Sequence, residues 1–210
     1  RSAAAPRIVD NTFEGNSLSG AGAECTQFAL KLGEYWDAGG SQASRPVVDG
    51  NRFIENNSYP IVMAMHAEPE VDAQSNVFSG SIGDDVLLYG ALEDHDKTLR
   101  KLNVPYIVDV HCPEVEGDAG LTIEPGVVIK FAQGTGWKLP ILDFNGTHFI
   151  AEGTPSEPIV FTSITDERFG GDTRGSHYYG DEGGMLRLGG WLWGEDTCDQ
   201  QVSLRHVQFH

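Results

Sequence analysis

Carboxylates are the residues of this chain whose types and spacing could do chemistry. Asp84-Asp85 and Asp94-His95-Asp96 are the densest groups. Two acids flanking a sugar hydrolyse glycosidic bonds at separations of roughly 5 to 9.5 Å. Neighbours on a strand point to opposite faces, so Asp84 and Asp85 diverge unless a turn holds them, whereas Asp94 and Asp96 can share a face. The plainer expectation is solvated acids at turns and at a helix N-terminus. Asp10, Asp49 and Asp72 recur ahead of three phenylalanines, at offsets of 3, 4 and 6 residues. They therefore share no single stack position, and no EF-hand or nonapeptide calcium repeat is present.

The remaining chemical residues are sparser. His206 and His210 sit four apart on an expected strand, on one face but about 13 Å apart by strand rise, too far to hold one metal ion together. His111 beside Cys112 has no metal-ligand spacing. Trp191 and Trp193 alternate along an expected strand, and Trp36, Trp137, Tyr178 and Tyr179 add aromatic surface. Sugars stack on such rings, although closing a core or capping a loop is the commoner role. No GxSxG elbow, Walker loop or dinucleotide glycine motif occurs. The sequence assigns no catalytic residue, no cofactor-binding residue and no metal-ligating set. It leaves calcium at loops open as the one ion to consider.

Charge narrows the partners. Lys plus Arg number 14 against 31 Asp plus Glu, a formal charge of -17 over 210 residues. An average surface of that sign repels phosphate backbones and anionic headgroups, so nucleic acid is not an expected partner. No window approaches the ~20 apolar residues of a membrane-spanning helix, so membrane insertion is not expected either. Cys25, Cys112 and Cys198 form no CxxC pair, which leaves one disulfide plus a thiol, or three buried cysteines. Asn56-Asn57-Ser58 and Asn145-Gly146-Thr147 match the glycosylation sequon, a pattern frequent by chance.

The elements that must position these residues are legible from a repeated phrase, an aliphatic residue followed by Asn two places before Phe. It reads Ile8-Val9-Asp10-Asn11-Thr12-Phe13, Val48-Asp49-Gly50-Asn51-Arg52-Phe53 and Ala73-Gln74-Ser75-Asn76-Val77-Phe78. With Val207 in place of Asn, it returns as Leu204-Arg205-His206-Val207-Gln208-Phe209. Phe53 to Phe78 spans 25 residues and Phe13 to Phe53 spans 40, so an extra loop is expected near 33–45. Self-similarity in the twenties marks a stacked repeat architecture. Alternating runs at Phe28–Leu32 and Ile61–Met65, and the apolar run Val86–Tyr89 after a Gly-Asp-Asp turn, read as strands. Only Asp94–Leu102, acidic at its start and basic at its end, could make two turns of helix. Thr165–Gly184, rich in glycine, reads as a surface excursion before a strand-like Met185–Trp193.

The stretch from Leu121 to Phe131 (LTIEPGVVIKF), then AEGTPSEPIVFTS at 151–163, Gly190-Trp191-Leu192-Trp193-Gly194 and LRHVQF at 204–209, resembles the right-handed parallel β-helix repeats of large secreted and surface-anchored bacterial proteins. The resemblance is strongest over 104–210. It implies an all-β, right-handed single-stranded parallel β-helix, with coils over 1–103 and a second, continuous run over 104–210. Phe13, Phe53 and Phe78 would then form an internal aromatic column, and Asn11, Asn51 and Asn76 an amide ladder at a bend. A β-sandwich with Asn in its turns is the competing fold, but no two-residue hairpin signal supports it. Because these phrases are scaffold residues, the implied function is a non-catalytic segment of an extracellular or cell-surface protein, a rigid spacer or adhesive surface. Carbohydrate or another surface protein would be its partner, and further coils of the same polypeptide are expected, since the repeats run from Ile8 to His210. The alternative is part of a carbohydrate-active lyase or glycoside hydrolase.

Overall fold

The computed structural model describes residues 6–16, 28–33, 45–57, 59–71, 75–81, 83–109, 113–132, 141–171, 173, 184–188 and 200–210. All three cysteines, His111, the four tryptophans, Tyr178, Tyr179, Asp72 and most of the loop expected at 33–45 lie outside the described residues.

Among the described residues the regular structure is entirely β-strand, and every pairing between strands is parallel. Strands β1 (Arg7–Val9), β4 (Val47–Asp49) and β7 (Glu70–Val71) form one sheet, and β2 (Thr12–Glu14), β5 (Arg52–Ile54) and β8 (Val77–Ser79) a second. The largest sheet joins β3 (Phe28–Leu32), β6 (Tyr59–Ala64), β9 (Val86–Tyr89), β12 (Tyr106–Val108), β15 (Val128–Phe131), β18 (Ile159–Ser163) and β21 (Val207–Phe209). Two further sheets hold β10 (Ala91–Leu92), β13 (Glu114–Glu116), β16 (Ile141–Asn145) and β19 (Met185–Leu188), and β11 (Lys97–Leu99), β14 (Gly120–Ile123), β17 (His148–Glu152) and β20 (Gln201–Arg205). Every pair therefore joins a strand to the one three places later in the chain. The seven-stranded sheet runs through unbroken, whereas the sheets ending at β7 and β8 do not pair with those starting at β10 and β11.

The repeated phrase is what builds the first two sheets. Register places Phe13 opposite Phe53 and Phe53 opposite Phe78. Their rings stack at 4.9 and 5.1 Å with interplanar angles of 4° and 8°. Only the middle ring is fully buried. Ahead of it, Asn11 donates its backbone N–H and its Nδ2 to Asn51 Oδ1, both at 3.0 Å, and Asn51 repeats both bonds to Asn76 Oδ1 at 3.1 Å. Asn51 Nδ2 also donates to the Ile8 carbonyl at 2.7 Å, and Asn76 Nδ2 to Val48 at 2.9 Å. The Asn51 amide thus uses all four of its hydrogen-bonding positions, which is what a side chain with no solvent exposure requires.

A second ladder, which the sequence reading missed, runs five residues later. Asn16 donates its backbone N–H and Nδ2 to Asn56 Oδ1, Asn56 Nδ2 donates to the Phe13 carbonyl, and the Asn56 N–H donates to Ser81 Oγ. Asn56 is buried, so the amide of the first sequon is committed to this ladder. Between the ladders, Gly15, Glu55 and Gly80 follow the aligned ends of β2, β5 and β8, and all three have φ between 50 and 70°. A residue with a Cβ is strained there, which makes Glu55 the exception in its column.

The later sheets pack differently. Columns such as Leu92–Val115–Phe144–Leu188 and Leu99–Ile123–Ala151–Leu204 put unlike apolar residues in register. Phe144 meets Phe149 of the next strand edge-on at 5.3 Å and 67°. Both faces of the seven-stranded sheet are covered: Val62, Leu87, Ile107, Lys130 and Thr162, one in-register column, are all buried. Lys130 Nζ bonds Gly171 O and Thr173 Oγ1, which fastens the 164–173 excursion over that face.

One expectation needs correction. Residues 97–99 of the stretch read as helical form β11, because Lys97 and Leu99 are buried and the strand pairs β14 in register. The fourth copy of the phrase does not join the other three, since β21 closes the end of the seven-stranded sheet and Phe209 stacks on Phe161 at 5.2 Å. Without Asn at 207, no amide ladder ties that segment to the earlier phrases.

Candidate functional site

A cavity of about 240 Å³ lies where the edge strand β11 meets the seven-stranded sheet. Leu32, Ile61, Met63, Val86 and Tyr106 from one face of the seven-stranded sheet line it, with Lys97 and Thr98 of the edge strand β11 opposite. Arg45, Glu68, Pro69, Arg100 and Leu102 complete its wall.

Lys97 is out of pattern. Its register partners along the sheet are Leu121, then Phe149, then Val202. A lysine therefore occupies the first place of an apolar column, and it is only 2% exposed. Its Nζ donates to the Ala67 carbonyl. Burial pushes the ammonium down to about 8, and the Glu68 carboxylate pulls the other way. Glu68 is shared: Arg45 Nη2 lies 2.8 Å from one of its oxygens and His95 Nε2 stands 4.0 Å from the other. Tyr106 donates its hydroxyl to the Arg100 carbonyl at 2.8 Å. Burial, reinforced by Glu124 and opposed by Arg100, raises its phenol above the ordinary value.

Among the acids singled out in the sequence, the Asp94-His95-Asp96 group lies beside this cavity but does not act as one unit. Asp94 Oδ1 contacts His95 Nδ1 at 2.7 Å, while Asp96 lies 3.8 Å from Nε2 of His148 on β17, two strands along the sheet from β11. Both aspartates are largely exposed. Asp84 and Asp85 sit in the bend before β9. Burial raises the Asp84 carboxyl, against backbone hydrogen bonds from Ser81 and Gly80, and Asp85 is fully buried. Asp10 takes a left-handed conformation one residue after Val9, the partner of Asp49. Asp10 and Asp49 thus stand one register position apart.

The expectation that His206 and His210 share one strand fails on geometry. His206 has φ 46° and separates β20 from β21, so it shares no straight strand with His210, whose ring stacks on Phe169 at 4.9 Å. No group of three or more His, Cys, Asp or Glu residues suited to a metal ion occurs among the described residues. Nor does any described helix have the length and apolarity to cross a membrane.

A second polar cluster lies on the sheet of β13, β16 and β19. Glu114, Asp143 and Arg187 are in register, and Arg187 grips Asp143 through two hydrogen bonds, the Nε one at 2.8 Å. Burial first, then a hydrogen bond to the Glu116 carboxyl, raises Glu114 above the usual carboxylate range. Nothing in the sequence flagged this cluster, because Glu114, Asp143 and Arg187 lie 29 or more residues apart in the chain. Nor did the sequence flag Lys97, which read as the basic end of a helix. No protein-family model matches the chain, and comparison with curated proteins and with solved structures gave no match.

Proposed function

We propose that this chain is a segment of a right-handed parallel β-helix that serves as a rigid, non-catalytic scaffold or adhesive surface of an extracellular or cell-surface protein. The observation that carries the reading is the uniform pairing of each strand with the one three places later, including one seven-stranded sheet without interruption. Parallel crossovers of this kind are right-handed in nearly all sheets. Stacked parallel strands sum nearest-neighbour contacts into a stiff body without needing a catalytic centre. Carbohydrate or a second surface protein is the partner this reading assigns. A further layer of the same kind fits the last three strands, where Met185, Val202, Leu204 and Phe209 are 43 to 59% exposed.

The alternative, a carbohydrate-active enzyme, draws on Glu114, an acid held toward its protonated form beside Glu116 and Asp143. Hydrogen-bonded carboxyls are closer than the roughly 5 to 9.5 Å a glycosidase pair needs, and Arg187 already engages Asp143. The scaffold reading therefore predicts retention on polysaccharide gels, or on a partner protein, without turnover. Release of reducing ends or unsaturated products from neutral and acidic polysaccharides, abolished by Glu114→Gln, would replace it with the enzyme. Calcium enters as a proposed stabiliser at loops; a melting temperature unmoved by EDTA removes it.

A further inference from the structure

The cavity beside β11 combines three features that bear on one ligand class. Its floor is apolar: Leu32, Ile61, Met63 and Val86 come from β3, β6 and β9. Among the described residues its charged lining is Arg45, Lys97 and Arg100 with Glu68, three cations to one anion in a chain of formal charge -17. And its buried lysine stands where the column otherwise carries Leu121, Phe149 and Val202.

A buried ammonium costs several kcal/mol unless partners offset it, so a lysine at a core position breaks the local packing rule. Ala67 O takes one of its three hydrogens, and Glu68 is divided between Arg45 and the approach of His95. Arg100 is exposed, and its guanidinium has no ion-pair partner among the described residues. An anion entering between Lys97 and Arg100 would meet two donors in a partly dry site, where charged hydrogen bonds are at their strongest.

Size sets the rest of the molecule. An apolar cavity of about 150 Å³ takes a benzene, six heavy atoms, so one of about 240 Å³ holds on the order of ten. A phosphoryl group would use half of those atoms and leave the apolar floor poorly filled. A carboxylate uses three and leaves a short tail to cover Leu32, Ile61 and Met63.

We propose that this cavity binds a small apolar monocarboxylate, its tail against Leu32, Ile61 and Met63 and its carboxylate between Lys97 and Arg100. The site belongs to the junction between the two sets of sheets and does not depend on what the outer surface recognises.

Titration calorimetry of the whole chain with octanoate, octanol and octylamine tests the assignment. Octanoate should bind saturably at one site per chain, about tenfold or more tighter than octanol, since each charged hydrogen bond is of that order. Octylamine should not bind. Lys97→Met, which keeps the aliphatic stem, should weaken octanoate by about tenfold and leave octanol unchanged. Arg100→Gln, an exposed change that spares the core, should weaken octanoate in the same direction and decides the matter if Lys97→Met does not fold. No saturable octanoate binding at millimolar concentration, octanol binding as tightly as octanoate, or Arg100→Gln leaving octanoate affinity unchanged would each overturn the site.

Discussion

The strands before the break and those after it solve one problem, holding parallel strands in register, by different means. Up to β8, two polar ladders and a phenylalanine column fix β2, β5 and β8 and the bends beside them on one another. From β10 onward, apolar columns mix leucine, valine, isoleucine, alanine and phenylalanine in register. An amide ladder demands a side chain that can hydrogen-bond at every level, most simply the same one, because donor must meet acceptor at a fixed distance. An apolar core demands only total volume and shape. The first set should therefore be intolerant of chemical change at constant size, and the second tolerant of it.

The sharpest way to break that contrast is a near-isosteric pair. Asn51→Asp keeps the shape but replaces two donated hydrogen bonds with a buried carboxylate facing the Ile8 and Asn76 oxygens. A loss of about 3 kcal/mol or more is expected from unpaired buried groups. Leu121→Met, equally buried in the later set, should cost under about 1.5 kcal/mol. Urea unfolding of the two variants measures both. Equal losses would mean that the ladder carries no more specificity than the apolar columns do.

The same contrast explains what the chain's spelling could reveal. Asn11, Asn51 and Asn76 repeat visibly because the ladder selects identity. Lys97, Leu121, Phe149 and Val202 occupy one column equally well ordered in space and share no letter. The phrase at 204–209 repeats the phenylalanine without the asparagine, and Phe209 stacks on Phe161 of the seven-stranded sheet instead. The stretch 94–102 misled because charge placement suggests a helix end, whereas burial of Lys97 and Leu99 decides for a strand. The cavity was hidden for a related reason: its walls come from residues between 32 and 106, brought together by pairing across whole repeats. The Asn56 ladder was hidden less deeply, since Asn16 and Asn56 both stand three residues after the phenylalanine. Only Ser81 departs from the letter.

At the junction, Lys97 should make stability depend on pH in a way that separates it from its apolar column mates. Its folded-state value of about 8 lies below the ordinary 10.5. Between those values the unfolded chain binds the extra proton, so stability rises with pH across that window and the lysine's burden is full below it. The gain approaches about 3 kcal/mol if the whole shift is realised. Glu68, Arg45, His95 and Arg100 face this region. Denaturant midpoints at pH 7, 8, 9 and 10 should climb more steeply for the wild type than for Lys97→Met. Parallel curves would mean that the ammonium is solvated and that the column tolerates charge there.

The smallest expected effect tests whether the bends of the first set are as selective as its ladders. Gly15, Glu55 and Gly80 occupy one left-handed column, and a residue with a Cβ carries a conformational cost there of about 1 kcal/mol. Glu55→Gly removes that cost but also frees the unfolded chain, so a net gain approaching 1 kcal/mol is the upper bound. Gly80→Ala imposes the cost at the next level. A Cβ on Gly80 would meet Glu55 Cγ at 3.4 Å, an ordinary contact, so conformation alone sets the penalty. Changes of opposite sign and similar size in thermal unfolding would show that the column is set by backbone conformation. A loss in both variants would assign Glu55 a side-chain role, and the bend would then select its residues by chemistry, as the amide ladders do.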